Sequence, residues 1–247
     1  MVSKKYKSSE QRTQDYFARF NSDNVLSTLI DTEEPIIFDV GANVGQTLDK
    51  FKQLWPESII HCFEPIKEFY DELLKNSLKY EEVSCHNFAF GDKDFQDVKF
   101  YYHEIQPMLS GIYQLNPNSK DSIGINEPDL AGLKEGDFMH NANQEITVKQ
   151  HKLDTFVGYW DIPKIDILKL DTQCSEAKIL KGAEETLKKT SVVLTELNFY
   201  DLYTRNLSFY DIEQYLKPAG FKLYDISYIS KNPLNGRTDW VDVIYTK

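Results

Sequence analysis

Apolar residues fall in short continuous runs, and stretches with helical spacing lie between them. The run Ile36-Ile37-Phe38 ends in Asp39 and a glycine-bearing turn, the pattern of a strand buried on both faces. From Gln46, the positions Leu48, Phe51 and Leu54 share one helical face, and Pro56 ends that helix. Residues 58–63 predict a second strand, 66–78 a helix and 83–90 a third strand. Residues 98–102 predict a fourth strand that turns off the parallel set. Regular structure resumes at Ile146-Thr147-Val148 and at Leu153-Asp154-Thr155-Phe156. A strong strand then covers 165–170, ending at Asp171, and a helix covers 175–189 with a break at Gly182. Residues 192–197 predict a strand and 209–216 a helix. Residues 221–229 and 240–245 read as an antiparallel pair around the turn at 232–236. Strands alternating with helices predict an α/β fold, a doubly wound and mostly parallel seven-stranded sheet with an antiparallel C-terminal pair.

Two regions depart from this alternation. Residues 1–34 read as a helical N-terminal extension to a main domain at 35–247. Residues 103–145 hold Pro107, Gly111, Pro117, Gly124, Pro128, Gly132 and Gly136 among many Asn and Asp. An irregular stretch this long is expected to serve as a substrate-side loop or lid.

Composition narrows the function classes. Hydrophobic residues make up 41% of the 247, enough for a substantial core. The net charge of −11 repels phosphate backbones, so nucleic acid is a poor expected partner. The cysteines, Cys62, Cys85 and Cys174, form no Cys-x-x-Cys pair and suggest neither a disulfide framework nor structural zinc. The polar N-terminus lacks a signal-peptide core, and no apolar run approaches membrane-span length. A cytoplasmic location is the expectation; the oligomeric state is left open.

The most informative segment is Ile-Ile-Phe-Asp-Val-Gly-Ala-Asn-Val-Gly-Gln-Thr, ending at Thr47. Gly41 would let a ligand approach the backbone, and Gly45 would permit close packing where a helix begins. Free N–H groups there attract a carboxylate or phosphate, and the Asp39 carboxylate suits a ligand carrying an ammonium group. Glu64 follows about 20 residues later at the tip of the second strand, where an acid that binds ribose belongs. The G-x-G-x-x-G dinucleotide fingerprint is missing, which argues against a nicotinamide oxidoreductase. An Asn- or Asp-Pro-Pro-aromatic tetrapeptide is missing too; Asp171 is followed by Thr-Gln-Cys, which argues against an amino-directed DNA methyltransferase.

The Asp-x-Gly-x-Asn-x-Gly spacing resembles the S-adenosylmethionine (SAM) site of many methyltransferases. With Phe63-Glu64-Pro65, the stretches His-Lys-Leu-Asp-Thr-Phe from His151 and Leu-Lys-Leu-Asp from Leu168, the later Leu-Lys-Gly-Ala to Ala183, and Leu-Thr-Glu-Leu-Asn-Phe to Phe199, the chain resembles the FkbM-type methyltransferase family. The resemblance implies a Rossmann-like class I methyltransferase that methylates an oxygen of a sugar, a glycan precursor or another hydroxylated small molecule. It implies that Asp39, Gly41, Asn43, Gly45 and Gln46 hold the methionine end of SAM, with Thr47 also in the cofactor site. Glu64 with Pro65 would hold the ribose, and Asn87, Ala89 and Phe90 would border the adenine. A non-catalytic SAM- or glycan-binding module on the same fold is the alternative. One departure stands out: the family often has Gly two or three places after the acid, where this chain has Gln173 and Cys174. Cys174 is expected to add bulk near the methyl-transfer site.

Proton removal from a hydroxyl calls for a base, and Asp171, Glu196 and the loop histidines His140 and His103 are the candidates. Asp171, Glu196 and Asn198 sit at strand tips and could converge as oxygen ligands of Mg²⁺.

Overall fold

The computed structural model describes residues 8–20, 22–104, 106–119, 143–233 and 235–247. His140 lies outside the described residues, as do the other positions of 120–142.

The chain divides into two units, Met1–Thr32 and Glu33–Lys247. The first carries helices α1 (Ser9–Arg19) and α2 (Ser22–Leu29). A capping box starts α1: Ser8 Oγ accepts the Gln11 N–H, and Gln11 Oε1 accepts the Ser8 N–H.

The second unit is built on a seven-stranded sheet in the order β3-β2-β1-β7-β8-β10-β9. Its strands are β1 (Ile36–Val40), β2 (Ile59–Phe63), β3 (Val83–His86), β7 (Ile165–Leu170), β8 (Thr190–Asn198), β9 (Lys222–Lys231) and β10 (Thr238–Thr246). The first five of these in sequence pair in parallel, while β10 runs antiparallel to both β8 and β9. The helices are α3 (Gln46–Leu54), α4 (Lys67–Ser77), α5 (Leu153–Tyr159), α6 (Glu176–Lys181), α7 (Glu184–Lys188) and α8 (Phe209–Leu216). The apolar runs that define β1, β7 and β8 supply Phe38, Leu168 and Val193, all at 0% exposure. Burying each such side chain stabilises by roughly 1.5–3 kcal/mol. Among the described residues no helix is long and apolar enough to cross a membrane.

One element differs from the sequence-based expectation. The third strand was expected to run to residue 90, but β3 ends at His86. Asn87 donates its side-chain amide to the Glu64 and Pro65 carbonyls, 2.9 and 3.0 Å away, which turns the chain out of the sheet. Ala89–Phe90 then forms β4 of a second, three-stranded sheet, β4-β6-β5, with β5 (Gln96–Tyr102) antiparallel to β6 (Gln144–His151). Gly182 separates α6 from α7, as its position in the helical pattern predicts.

The order of strands reverses at β1, which has β2 on one side and β7 on the other. A crevice opens at such a point beyond the carboxyl ends of the strands. The described part of the long loop packs along this end. Tyr101 and Gly111 exchange backbone hydrogen bonds, Leu115 bridges to Tyr203, and Ser119 Oγ donates to Asp201.

Candidate functional site

A cavity of about 240 Å³ occupies the crevice between β1 and β7. The turn after β1 contributes Gly41, Ala42, Asn43, Gln46 and Thr47. The tip of β2 contributes Phe63, Glu64 and Pro65, and the chain beyond β3 contributes Phe88, Ala89 and Phe90. Lys169, Asp171, Thr172, Gln173 and Ser175 come from β7 and the turn after it. Pro107, Met108, Ser110 and Ile112 complete the wall from the long loop.

Glycine is required at the base of this cavity. Gly41 has φ +84°, and a Cβ placed on it would lie 1.9 Å from the Asp171 carbonyl oxygen. Gly45, with φ +100°, does not line the cavity; its missing Cβ makes room for Leu73 of α4, 3.1 Å away. The turn's N–H groups are largely consumed internally, which corrects the expectation that they lie free for a ligand. Gly41 and Ala42 donate to Phe63 O, Asn43 to Glu64 Oε2, Val44 to Asn43 Oδ1 and Gly45 to Ala42 O. The free donors are those at the start of α3, where Gln46 and Thr47 precede the first helical hydrogen bond, made by Asp49 to Gly45 O.

Asp39 also needs correcting. It was expected to meet a ligand ammonium, but it is fully buried, does not line the cavity, and pairs with Lys169 Nζ at 3.0 Å. In the β1–β7 register Asp39 stands opposite Lys169, which brings the two side chains together inside the sheet. Burial raises the Asp39 carboxyl above its usual range, and the lysine opposes that rise. Asn87 likewise lies outside the cavity wall, its amide committed to the Glu64 and Pro65 carbonyls.

Glu64 does face the cavity. Its two oxygens accept the N–H groups of Ile66 at 2.9 Å and Asn43 at 3.0 Å. Burial raises its carboxyl to about 7, with the two N–H bonds pulling the other way.

Asp171 is brought to the cavity, while Glu196 and Asn198 are not. Gln173 Nε2 donates to Asp171 Oδ1 at 3.0 Å, and Lys169 Nζ lies 3.5 Å from Asp171 Oδ2. Asn198 Nδ2 donates to Glu196 Oε1 at 2.7 Å. Burial first, then the Asp171, Glu176 and Asp242 carboxylates, raise Glu196 to about 9. A carboxyl protonated at neutral pH is not a ready proton acceptor. Among the described residues no group of three or more His, Cys, Asp or Glu is arranged to hold a metal. His103 is buried away from the cavity, its Nδ1 accepting the Gln106 N–H.

Cys174 adds its bulk to the core rather than to the cavity, where it is 2% exposed. The departure from glycine is felt in the backbone instead: Gln173 and Cys174 have φ of 54° and 72°, consecutive left-handed residues. The turn they form aims the Gln173 side chain at Asp171, and Tyr203 Oη donates to Gln173 Oε1 at 2.5 Å. The sequence gives no sign of what Lys169, Gln173 and Tyr203 do beside Asp171, although a lysine inside the otherwise apolar end of β7 marks the first as unusual.

The described geometry fits SAM: a glycine cradle at the strand switch point, a helix N-terminus and an acid at the second strand tip. The sequence relatives of the chain point the same way. The methyltransferase FkbM domain model matches residues 39–223. The 2-O-methyltransferase NoeI of Sinorhizobium fredii (strain NBRC 101917 / NGR234) is 25% identical over 189 residues, spanning 74% of this chain and 71% of that protein. The 31-O-demethyl-FK506 methyltransferase FkbM of Streptomyces tacrolimicus is 22% identical over 157 residues, 61% of this chain and 60% of that protein. Of solved structures, a putative rRNA-methylase from Clostridium thermocellum superimposes with a TM-score of 0.48 at 7% identity, over 98% of this chain and 97% of that one. This chain therefore belongs to the methyltransferase FkbM domain family.

Proposed function

We propose that this protein is a SAM-dependent O-methyltransferase whose acceptor is a hydroxyl on a sugar, a glycan precursor or a similarly hydroxylated small molecule. The observation that carries the reading is the cavity in which Gly41, the α3 N-terminus, Glu64 and Asp171 meet. Bound SAM supplies an activated methyl group on a sulfonium. The chain's own residues bind and orient. The N–H groups of Gln46 and Thr47 receive the carboxylate end, Glu64 accepts from the ribose hydroxyls, and Phe88, Ala89 and Phe90 flank the base. Asp171 faces the acceptor and holds the proton of its hydroxyl, with Gln173 fixing the carboxylate. Alignment of nucleophile, carbon and sulfur accounts for most of the expected rate gain. The names of the two relatives support oxygen as the methylated atom, and one of them names a demethylated FK506 as what it methylates. The net charge of −11 disfavours nucleic acid as acceptor.

Thermal unfolding with and without S-adenosylhomocysteine, with NAD as control, tests the cofactor. A ligand at about 100 times its dissociation constant stabilises by about 2.7 kcal/mol, a rise of a few degrees in Tm. A shift with S-adenosylhomocysteine alone, lost in Glu64→Ala, supports the reading, and the absence of a shift at millimolar ligand overturns it. Methyl transfer to a panel of hydroxylated sugars then tests turnover.

A further inference from the structure

We infer that Lys169 binds the carboxylate of the cofactor's methionine end, an assignment that rests on the proposed SAM site. Lys169 is the only Lys or Arg among the described residues lining the cavity. The α-carboxylate is the only anionic group that SAM or S-adenosylhomocysteine carries. The sole cation of the wall and the sole anion of the ligand are thus matched.

The hydrogen bonds around Nζ leave room for that contact. An ammonium has three protons to donate. One goes to Asp39 Oδ1 at 3.0 Å. Asp171 Oδ2, at 3.5 Å, lies at the outer limit of a hydrogen bond and is readily exchanged for a better acceptor. Asp39 is fully buried, does not line the cavity and anchors the ammonium, whose side chain keeps 12% exposure. The start of α3 provides a second, independent attraction for an anion in the same cavity: Gln46 and Thr47 line it and their N–H groups precede the helix's first hydrogen bond. A lysine placed in a buried strand merely to neutralise Asp39 would be costly, since an apolar pair would serve the core as well. A ligand contact explains why both charges are present.

The test pairs two ligands with two proteins. The ligands are S-adenosylhomocysteine and its decarboxylated amine; the proteins are the wild type and the double variant Asp39→Asn/Lys169→Met. The double variant removes both charges, because Lys169→Met alone would strand a buried carboxylate and could unfold the chain. Affinities are measured by calorimetry, after the variant's unliganded melting has been checked against wild type. The expected result is that the variant loses about ten- to a hundredfold in affinity for S-adenosylhomocysteine and binds the amine as wild type does. Equal losses for both ligands mean that the pair is structural, and no loss for either means that the carboxylate is held elsewhere; each overturns the assignment and leaves the SAM reading intact. Failure of wild type to bind either ligand overturns the SAM reading, and the assignment falls with it.

Discussion

The Gly41 Cα and the Asp171 carbonyl oxygen approach so closely that a Cβ on Gly41 would stand 1.9 Å from that oxygen. The contact joins the tips of β1 and β7, and the Asp171 N–H donates to Val40 O beside it. The carbonyl is backbone and has no flexible end to swing aside. Gly41→Ala adds both the clash and the cost of a left-handed φ on a residue with a side chain. We expect it to lower folding stability by at least about 2 kcal/mol, read by urea denaturation, and to abolish S-adenosylhomocysteine binding. Wild-type stability in this variant would mean that the two strand tips are not in contact.

The Gln173–Cys174 turn makes a prediction of opposite character. Cys174→Gly relieves a left-handed φ of 72° and deletes a buried thiol, and these effects oppose each other. Each is on the order of 1 kcal/mol, so the net change in stability should be under about 1 kcal/mol. Cys174→Val keeps the bulk and puts a β-branched side chain in the left-handed region, and should cost about 2 kcal/mol or more. S-adenosylhomocysteine affinity should be unchanged in Cys174→Gly, because the thiol lies outside the cavity. A several-fold change in affinity would place the sulfur at the ligand after all.

Much of this site could be read before the structure, and the reasons differ by residue. Gly41, Gln46, Thr47 and Glu64 are fixed by local chain geometry, a turn, a helix start and a strand tip, and local geometry leaves a spacing in the sequence. Asp39 and Glu196 were misread because strand-tip position says nothing of which way a carboxylate points or what stands opposite it. That depends on register, and Asp39 meets Lys169 only because β1 and β7, 130 residues apart, pair where they do. The exit of the chain at Asn87 was hidden for the same reason: its partners are carbonyls on the neighbouring strand's end. Parallel order, by contrast, follows from alternation alone and needs no register.

Glu196 should make folding stability fall as pH rises from 7 to 9. In the unfolded chain a glutamate ionises near 4.5, whereas in the fold this one titrates at about 9. Between those values the folded state holds a proton that the unfolded state has lost. The stabilisation is therefore fully present at low pH and declines until the pH passes about 9. Wild type should lose stability relative to Glu196→Gln at on the order of 1 kcal/mol per pH unit across this window. Chemical denaturation of both proteins at pH 7, 8 and 9 isolates the effect, since every other titrating group is common to the two. Parallel pH profiles would show that Glu196 is ionised in the folded protein.

Glu64 ties pH to cofactor binding rather than to folding alone. Its carboxyl, raised to about 7 by burial, is mostly protonated in the free protein at pH 6. Ribose hydroxyls that donate to it would favour the ionised form, as the Asn43 and Ile66 N–H groups already do. Binding must then expel the proton at acid pH and need not at pH 8. The affinity for S-adenosylhomocysteine should accordingly rise with pH, by up to about tenfold per unit below 7, and level off above it. Calorimetry at pH 6 in buffers of different ionisation enthalpy should detect up to one proton released per ligand bound. Glu64→Gln keeps the side chain's shape and one acceptor oxygen, so it should bind more weakly at pH 8 and with no pH dependence from this group. A wild-type affinity that is flat from pH 5.5 to 8, with no proton released, would remove Glu64 from the ribose and leave it as a brace for the turn at Asn43.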